Sequence, residues 1–167
     1  MTTKLENHLF DETARTFALL DGAAFESLPQ SLYETGARAV CLYRGELAAD
    51  VAEVAPYLVE LHPADAFTRR LLGEKPGAHR GIFARSRYSL TDARRHFRKF
   101  LTVYDESGNP LLFRFYDPRV LTRFLPTCDR EGLDSLFSGI RSFVAESGET
   151  DFLQYEMENG KLKITVV

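Results

Sequence analysis

A chain of 167 residues with 44% hydrophobic and 27% charged residues has the size and composition of one globular domain with its own core, not of a disordered or fibrous chain. Its net charge of -3 supplies no global attraction to nucleic acid or anionic lipid, which rests on clustered Lys and Arg. Two isolated cysteines, Cys41 and Cys128, are no disulfide framework, and neither a signal peptide at Met1 to His8 nor an apolar run of about 18 residues occurs, so a cytoplasmic protein is expected.

The apolar run Thr16 to Leu20 stops at Asp21-Gly22 and predicts a buried strand meeting a turn, followed by a helix from about Ala24 to Glu34. Ala39 to Tyr43 and Pro56 to Leu61 repeat the strand signal, and Ala66 to Leu72 follows as a helix. Strands alternating with helices imply a sheet with helices packed on it. Gly81 to Arg85 predicts another strand, and Ser89 with Asp92 three residues on predicts a capped helix running to about Phe100. On that helix Leu90, Ala93, Phe97 and Phe100 share one face, while Arg94, Arg95, Arg98 and Lys99 point elsewhere.

Leu101 to Tyr104 and Leu111 to Tyr116 flank Ser107-Gly108-Asn109-Pro110 and predict a longer-looped hairpin. In the second strand, alternation would place Phe113 and Phe115 on one face, and Arg114 and Tyr116 on the other. A partly enclosed Arg114 needs a carboxylate, for which Asp21 or Asp117 is the candidate by type. Asp117-Pro118 starts a helix, with Asp as N-cap and Pro at its first position, that stops before Pro126.

Asn159-Gly160 suits a two-residue turn with positive φ at both positions. Pairing outward from it sets Glu158 opposite Lys161, Met157 opposite Leu162, Glu156 opposite Lys163, Tyr155 opposite Ile164 and Leu153 opposite Val166. Opposite charges meet and the apolar residues share one face, and a slip by one residue destroys both matches. No repeat or linker divides the chain. The expected fold is a single α/β domain with a mixed β-sheet flanked by helices and a C-terminal β-hairpin. Residues 1–15 form a lead-in, 16–140 the main α/β domain, and 141–167 the C-terminal strands and hairpin of the same domain.

Catalytic signals are sparse. His8, His62, His79 and His96 are isolated, with no metal-ligand spacing among them or with the cysteines, which predicts surface or half-buried imidazoles. Neither a nucleophile elbow nor a phosphate-binding glycine loop is present. Asp21, at the end of the first strand, stands where aspartate-nucleophile phosphotransferases place theirs, but Gly22, Ala23 and Ala24 offer no second carboxylate for Mg²⁺. No cofactor or metal site is expected. Between Arg80 and Arg123 ten basic residues face four acidic ones, which suits a solvated helix face or, at Arg94, Arg95, Arg98 and Lys99, a surface for an acidic protein partner.

Phe17-Ala18-Leu19-Leu20-Asp21-Gly22-Ala23, Ala55-Pro56-Tyr57-Leu58-Val59 and the run Phe113 to Leu121, with Arg114-Phe115-Tyr116-Asp117-Pro118-Arg119 inside it, carry a resemblance in their order and spacing. The chain from about Thr16 to Ile140 resembles the type VI secretion adaptor family, or effector chaperones, long catalogued as a domain of unknown function. The resemblance implies a non-enzymatic bacterial cytoplasmic protein that holds a secreted effector and helps load it onto the VgrG spike, sometimes with a PAAR tip protein. Net charge and the lack of a long apolar run, apart from the resemblance, leave no nucleic-acid or membrane partner expected. Asp21, Pro56, Tyr57, Arg114, Tyr116, Asp117, Pro118 and Arg119 carry the family pattern, and their expected role is structural. Two other readings stand beside it: a small hydrolase or phosphotransferase using Asp21 or Cys41, and an immunity-type protein that blocks a toxin.

Overall fold

The computed structural model describes residues 2–167. Seven strands form one sheet: β1 (Arg15–Asp21), β2 (Ala39–Cys41), β3 (Pro56–Leu61), β4 (Gly81–Ser86), β7 (Ile140–Ser147), β8 (Asp151–Glu158) and β9 (Lys161–Val166), in the spatial order β2-β3-β1-β4-β7-β8-β9. A separate ribbon pairs β5 (Thr102–Tyr104) with β6 (Pro110–Leu112). The helices are α1 (Thr2–Leu9), α2 (Leu28–Thr35), α3 (Ala49–Val54), α4 (Ala66–Gly73), α5 (Leu90–Arg98), α6 (Pro118–Phe124) and α7 (Arg130–Leu136).

The chain is thus the expected single α/β domain, a sheet flanked by helices and finished by the C-terminal hairpin. The sheet is not the expected mixed one, because every neighbouring pair of strands is antiparallel. β1 and β2 nevertheless run the same way, as do β3 and β4, because β1 is antiparallel to both its neighbours and β3 to both of its own. Each crossover leaves a one-strand gap that a strand of the other crossover fills, so helical connections coexist with antiparallel pairing.

Alternation along the strands divides the core in two. Phe17, Leu19, Leu58, Ile82, Ala84, Phe143 and Ala145 face the side covered by α5, α6 and α7, through Ala93, Phe97, Leu121 and Leu136. Ala18, Leu20, Val59, Phe83 and Val144 face the side covered by α1, α2 and α4, through Leu5, Leu9, Leu28, Leu32, Phe67 and Leu72. The lead-in is therefore part of the fold: His8 meets Gln154 of β8 at 3.0 Å.

Two further expectations need correction. The helix expected from about Ala24 is a single 3₁₀ turn at Gly22–Ala24 followed, after a break, by α2. Pro29 in the first turn and Ser27 at the N-cap reset the start of that helix. The second strand of the hairpin ends at Leu112, not Tyr116, because the Asp117 N–H donates to the Arg114 carbonyl at 3.0 Å and closes a turn. Alternation stops there, and the consecutive Phe115 and Tyr116 are both buried. The C-terminal hairpin has the predicted register throughout, with φ of 50° at Asn159 and 73° at Gly160.

Of the four histidines, His96 is buried on α5 among Tyr88, Phe97 and Phe100. Its Nε2 lies 2.9 Å from the Leu136 carbonyl, which requires the proton on Nε2. Burial pulls its pKa below the ordinary 6.5. As pH falls through that value the unfolded chain binds the proton first, so the His96 contribution to stability is complete above 6.5 and is lost progressively below it. Melting curves should show a stability slope below pH 6.5 that His96→Gln, which keeps a donor for Leu136, flattens. An unchanged slope would refute the assignment.

Candidate functional site

The residues quoted for the family pattern assemble at one end of the sheet. Asp21 ends β1, where its N–H donates to the Arg80 carbonyl at 2.8 Å and the next N–H, of Gly22, donates to Ala55 at 3.0 Å. Pro56 lies opposite Asp21 in register, and its carbonyl accepts from Leu42 at 2.9 Å. The Asp21 carboxylate is buried: Oδ1 accepts from the Ala23 N–H at 3.1 Å, and Oδ2 is paired with the Arg114 guanidinium. Of the two carboxylates considered for Arg114, Asp21 is thus the partner. The turn at Arg114 to Asp117, rather than a strand, delivers the arginine there.

The rest of the junction supports that pair. Tyr116 is buried, and burial, reinforced by Tyr43 and Asp21, holds its phenol well above the usual range. Burial works against the Arg114 cation, but the Asp21 carboxylate outweighs it and raises its pKa. Asp117 caps α6 by accepting from the Arg119 N–H at 2.9 Å and holds the Arg119 side chain through contacts of 3.0 and 2.7 Å. Burial opposes its ionisation, yet those bonds to Arg119 keep its pKa lowered. Tyr57 donates to the Ala52 carbonyl at 3.0 Å, and burial, with Cys41 and Glu53 nearby, raises its pKa. The Asp21–Arg114 pair joins the end of β1 to the 114–119 segment, while the Asp117–Arg119 bonds are internal to that segment and Tyr57 ties β3 to α3.

The basic face of α5 divides. Arg94 donates to the Cys41 carbonyl at 3.0 Å, and Arg98 to the carbonyls of Leu42 at 2.7 Å and Tyr43 at 2.6 Å. These two arginines hold the exit of β2 instead of offering free charge. Arg95 and Lys99 are exposed, with Arg95 paired to Asp92 at 3.3 Å. A +6 segment in the sequence is therefore a much smaller free patch in the fold.

Two features present open apolar surface that the sequence does not single out, although the first is itself a predicted hairpin. One is the β5–β6 ribbon, all six of whose strand residues are exposed. It carries Val103 and Leu111 on one face, and on the other Tyr104, 70% exposed, and Leu112, 55% exposed. Such a ribbon is marginal alone in water, but both ends are held. At the tip the Asp105 carboxylate accepts from Ser107 and Asn109 N–H groups at 2.9 and 2.8 Å and from the Asn109 amide at 3.0 Å, and these bonds, chiefly those of Asn109, lower its pKa. At the base Phe113 packs edge-on against Phe124 with centroids 4.7 Å apart, and Phe115 is buried beside Phe97 and Phe100. The result is a braced arm that displays apolar side chains.

The other is an apolar groove of about 300 Å³ on the α1 and α4 side, floored by Leu5, Leu20, Leu72, Phe83 and Phe152 with Lys4 and Lys75 among its lining residues. A more polar depression of about 390 Å³ between α2 and α4 adjoins it. Arg80, paired with Glu74 and lying 4.8 Å over the Phe25 ring, lines both. Neither hollow contains the Asp21 junction. Among the described residues no group of three or more His, Cys, Asp or Glu is placed to hold a metal ion, and no helix is long and apolar enough to cross a membrane. Cys41 and Cys128 are free and half-buried, and burial raises the Cys128 thiol pKa, which disfavours its thiolate.

The model of the family described as Domain of unknown function (DUF4123) matches residues 16–135. The chain belongs to this family. No curated protein and no solved structure matches it. The DUF4123 match contains the whole Asp21 junction, the α5 arginines and the β5–β6 arm, whereas β7, β8 and β9 lie after it.

Proposed function

We propose that this protein is a non-enzymatic adaptor that binds a secreted effector and helps load it onto the VgrG spike of a type VI secretion system, with a PAAR tip protein as a further partner. The observation that carries this reading is the braced β5–β6 arm. Apolar side chains exposed on both faces of the arm, Tyr104 and Leu112 on one and Val103 and Leu111 on the other, cost solubility unless something covers them, and aromatic and aliphatic side chains on a preorganised element suit a protein partner. The resemblance of the segments around Asp21, Pro56 and Arg114 to effector adaptors supplies the identity of that partner. In this reading Asp21 is a structural carboxylate, since both its oxygens are engaged. Arg95 and Lys99 would aid encounter with an acidic surface more than they would hold the complex.

The tagged protein, expressed in the bacterium that encodes it, should co-purify with an effector and a VgrG protein encoded beside it. Tyr104→Ser and Leu112→Ser should each weaken effector capture about tenfold, the effect of losing a central apolar anchor, and leave the melting temperature within a degree or two. Equal capture by wild type and both variants would remove the arm from the interface. Absence of any secreted protein among the captured partners would reject the adaptor reading.

A further inference from the structure

β9 is the last strand of the sheet, and among the described residues nothing pairs with its outer edge. The hairpin fixes which backbone groups that edge offers. A two-residue turn makes Glu158 and Lys161 a hydrogen-bonded pair, and bonded and non-bonded pairs then alternate. The phase is checked at the far end, where Val167 N–H donates to the Phe152 carbonyl at 2.9 Å. Lys161, Lys163, Thr165 and Val167 therefore turn their N–H and C=O toward β8. Leu162, Ile164 and Val166 turn theirs outward.

The same three residues form the apolar face of the strand. Leu162 packs on the core, while Ile164 is 45% and Val166 62% exposed. Lys161, Lys163 and Thr165 occupy the other face. We infer that β9 pairs antiparallel with β9 of a second copy of this chain, about a two-fold axis at Ile164, to join two sheets into one.

The register follows from the strand's own sequence. With Ile164 opposite Ile164 of the second copy, Leu162 meets Val166, and all three facing pairs are made of residues whose backbone groups point outward, so each can exchange both hydrogen bonds. The exposed apolar side chains become mutual neighbours, continuous with the core surface that Leu162 already covers. On the other face Lys163 meets Thr165, so no lysine faces a lysine. Centring the pair one residue earlier sets Lys163 against Lys163, and one residue later leaves only Ile164 and Val166 to exchange bonds. Lysines on an edge ordinarily discourage strand addition; here Lys163 is also engaged by Glu158 of its own hairpin, at 3.1 Å. A contact of isologous type satisfies the edge of both copies at once, whereas a foreign strand leaves its own outer edge open. The dimer uses an edge distinct from the β5–β6 arm and does not rest on the adaptor reading.

Sedimentation velocity on the full chain over a range of concentrations should show a species of twice the chain mass growing with concentration. Ile164→Lys and Ile164→Glu each place like charges on the two-fold axis, and each should weaken self-association at least tenfold. An equimolar mixture of the two should restore it as a heterodimer. Because Ile164 is exposed, both variants should melt as the wild type does at concentrations where the wild type is monomeric. A wild type that stays monomeric at every concentration, single variants that dimerise as well as wild type, or a mixture that remains monomeric would each overturn the inference.

Discussion

Gly22→Ala should destabilise the protein by about 3 kcal/mol, lowering the melting temperature by roughly 6–12 °C. A Cβ at position 22 would stand 2.5 Å from the Ala55 carbonyl oxygen and 2.6 Å from that of Glu53, both main-chain atoms that cannot swing aside as a side chain could. Nor can the segments separate freely. The Gly22 N–H donates to that same Ala55 oxygen, and Asp21 is paired with Pro56 and bonded to Arg80 on its two sides. Relief of the clash must therefore disturb the ends of β1 and β3 together, in the part of the chain that carries the family pattern. Thermal melts of the variant and wild type test this, and a shift below about 2 °C would show that the junction yields.

Arg114→Ala is expected to cost about 2–3 kcal/mol, below the 3–5 kcal/mol for breaking a fully buried pair because Arg114 itself is half exposed and already solvated. The loss falls on Asp21, which is 4% exposed and would keep only the Ala23 N–H as a partner. Asp21→Asn retains an acceptor for Ala23 and removes the charge, so its cost should be nearer 1 kcal/mol. In the double variant the uncompensated carboxylate is gone, and the total should fall well short of the sum of the single effects. Denaturant titrations of the four proteins measure the coupling; strict additivity would mean that the pair contributes nothing. The same Asp21→Asn protein should differ from wild type in stability or partner binding and in no turnover. A substrate converted by wild type and not by this variant would replace the structural role of Asp21 with a catalytic one.

The sequence by itself determined the elements whose signals are local. The Asn159-Gly160 turn, flanked by matched charges and alternating apolar residues, specified the hairpin register, because a period of two admits no slip without exposing one whole face. Ser89 and Asp117 marked the starts of α5 and α6, because a cap depends on groups within three residues. Pairing Arg114 with Asp21 or Asp117 followed from the cost of enclosing a charge alone, but choosing between them required the turn at Arg114 to Asp117 to aim the guanidinium. Tertiary structure alone decided where polar groups spend their bonding capacity. Arg94 and Arg98 read as free charge on a basic helix face until β2 is placed with its exit carbonyls within their reach. His96 reads as a surface or half-buried imidazole until α7 brings the Leu136 carbonyl to it and the ring is buried. Tyr104 and Leu112 alternate like strand residues with a sheet to cover them, yet their ribbon stands apart from the seven-stranded sheet, and only the packing of every other element shows that nothing among the described residues covers them. Periodicity and capping act over a few residues, whereas burial and charge pairing depend on which segments, distant in sequence, share one surface.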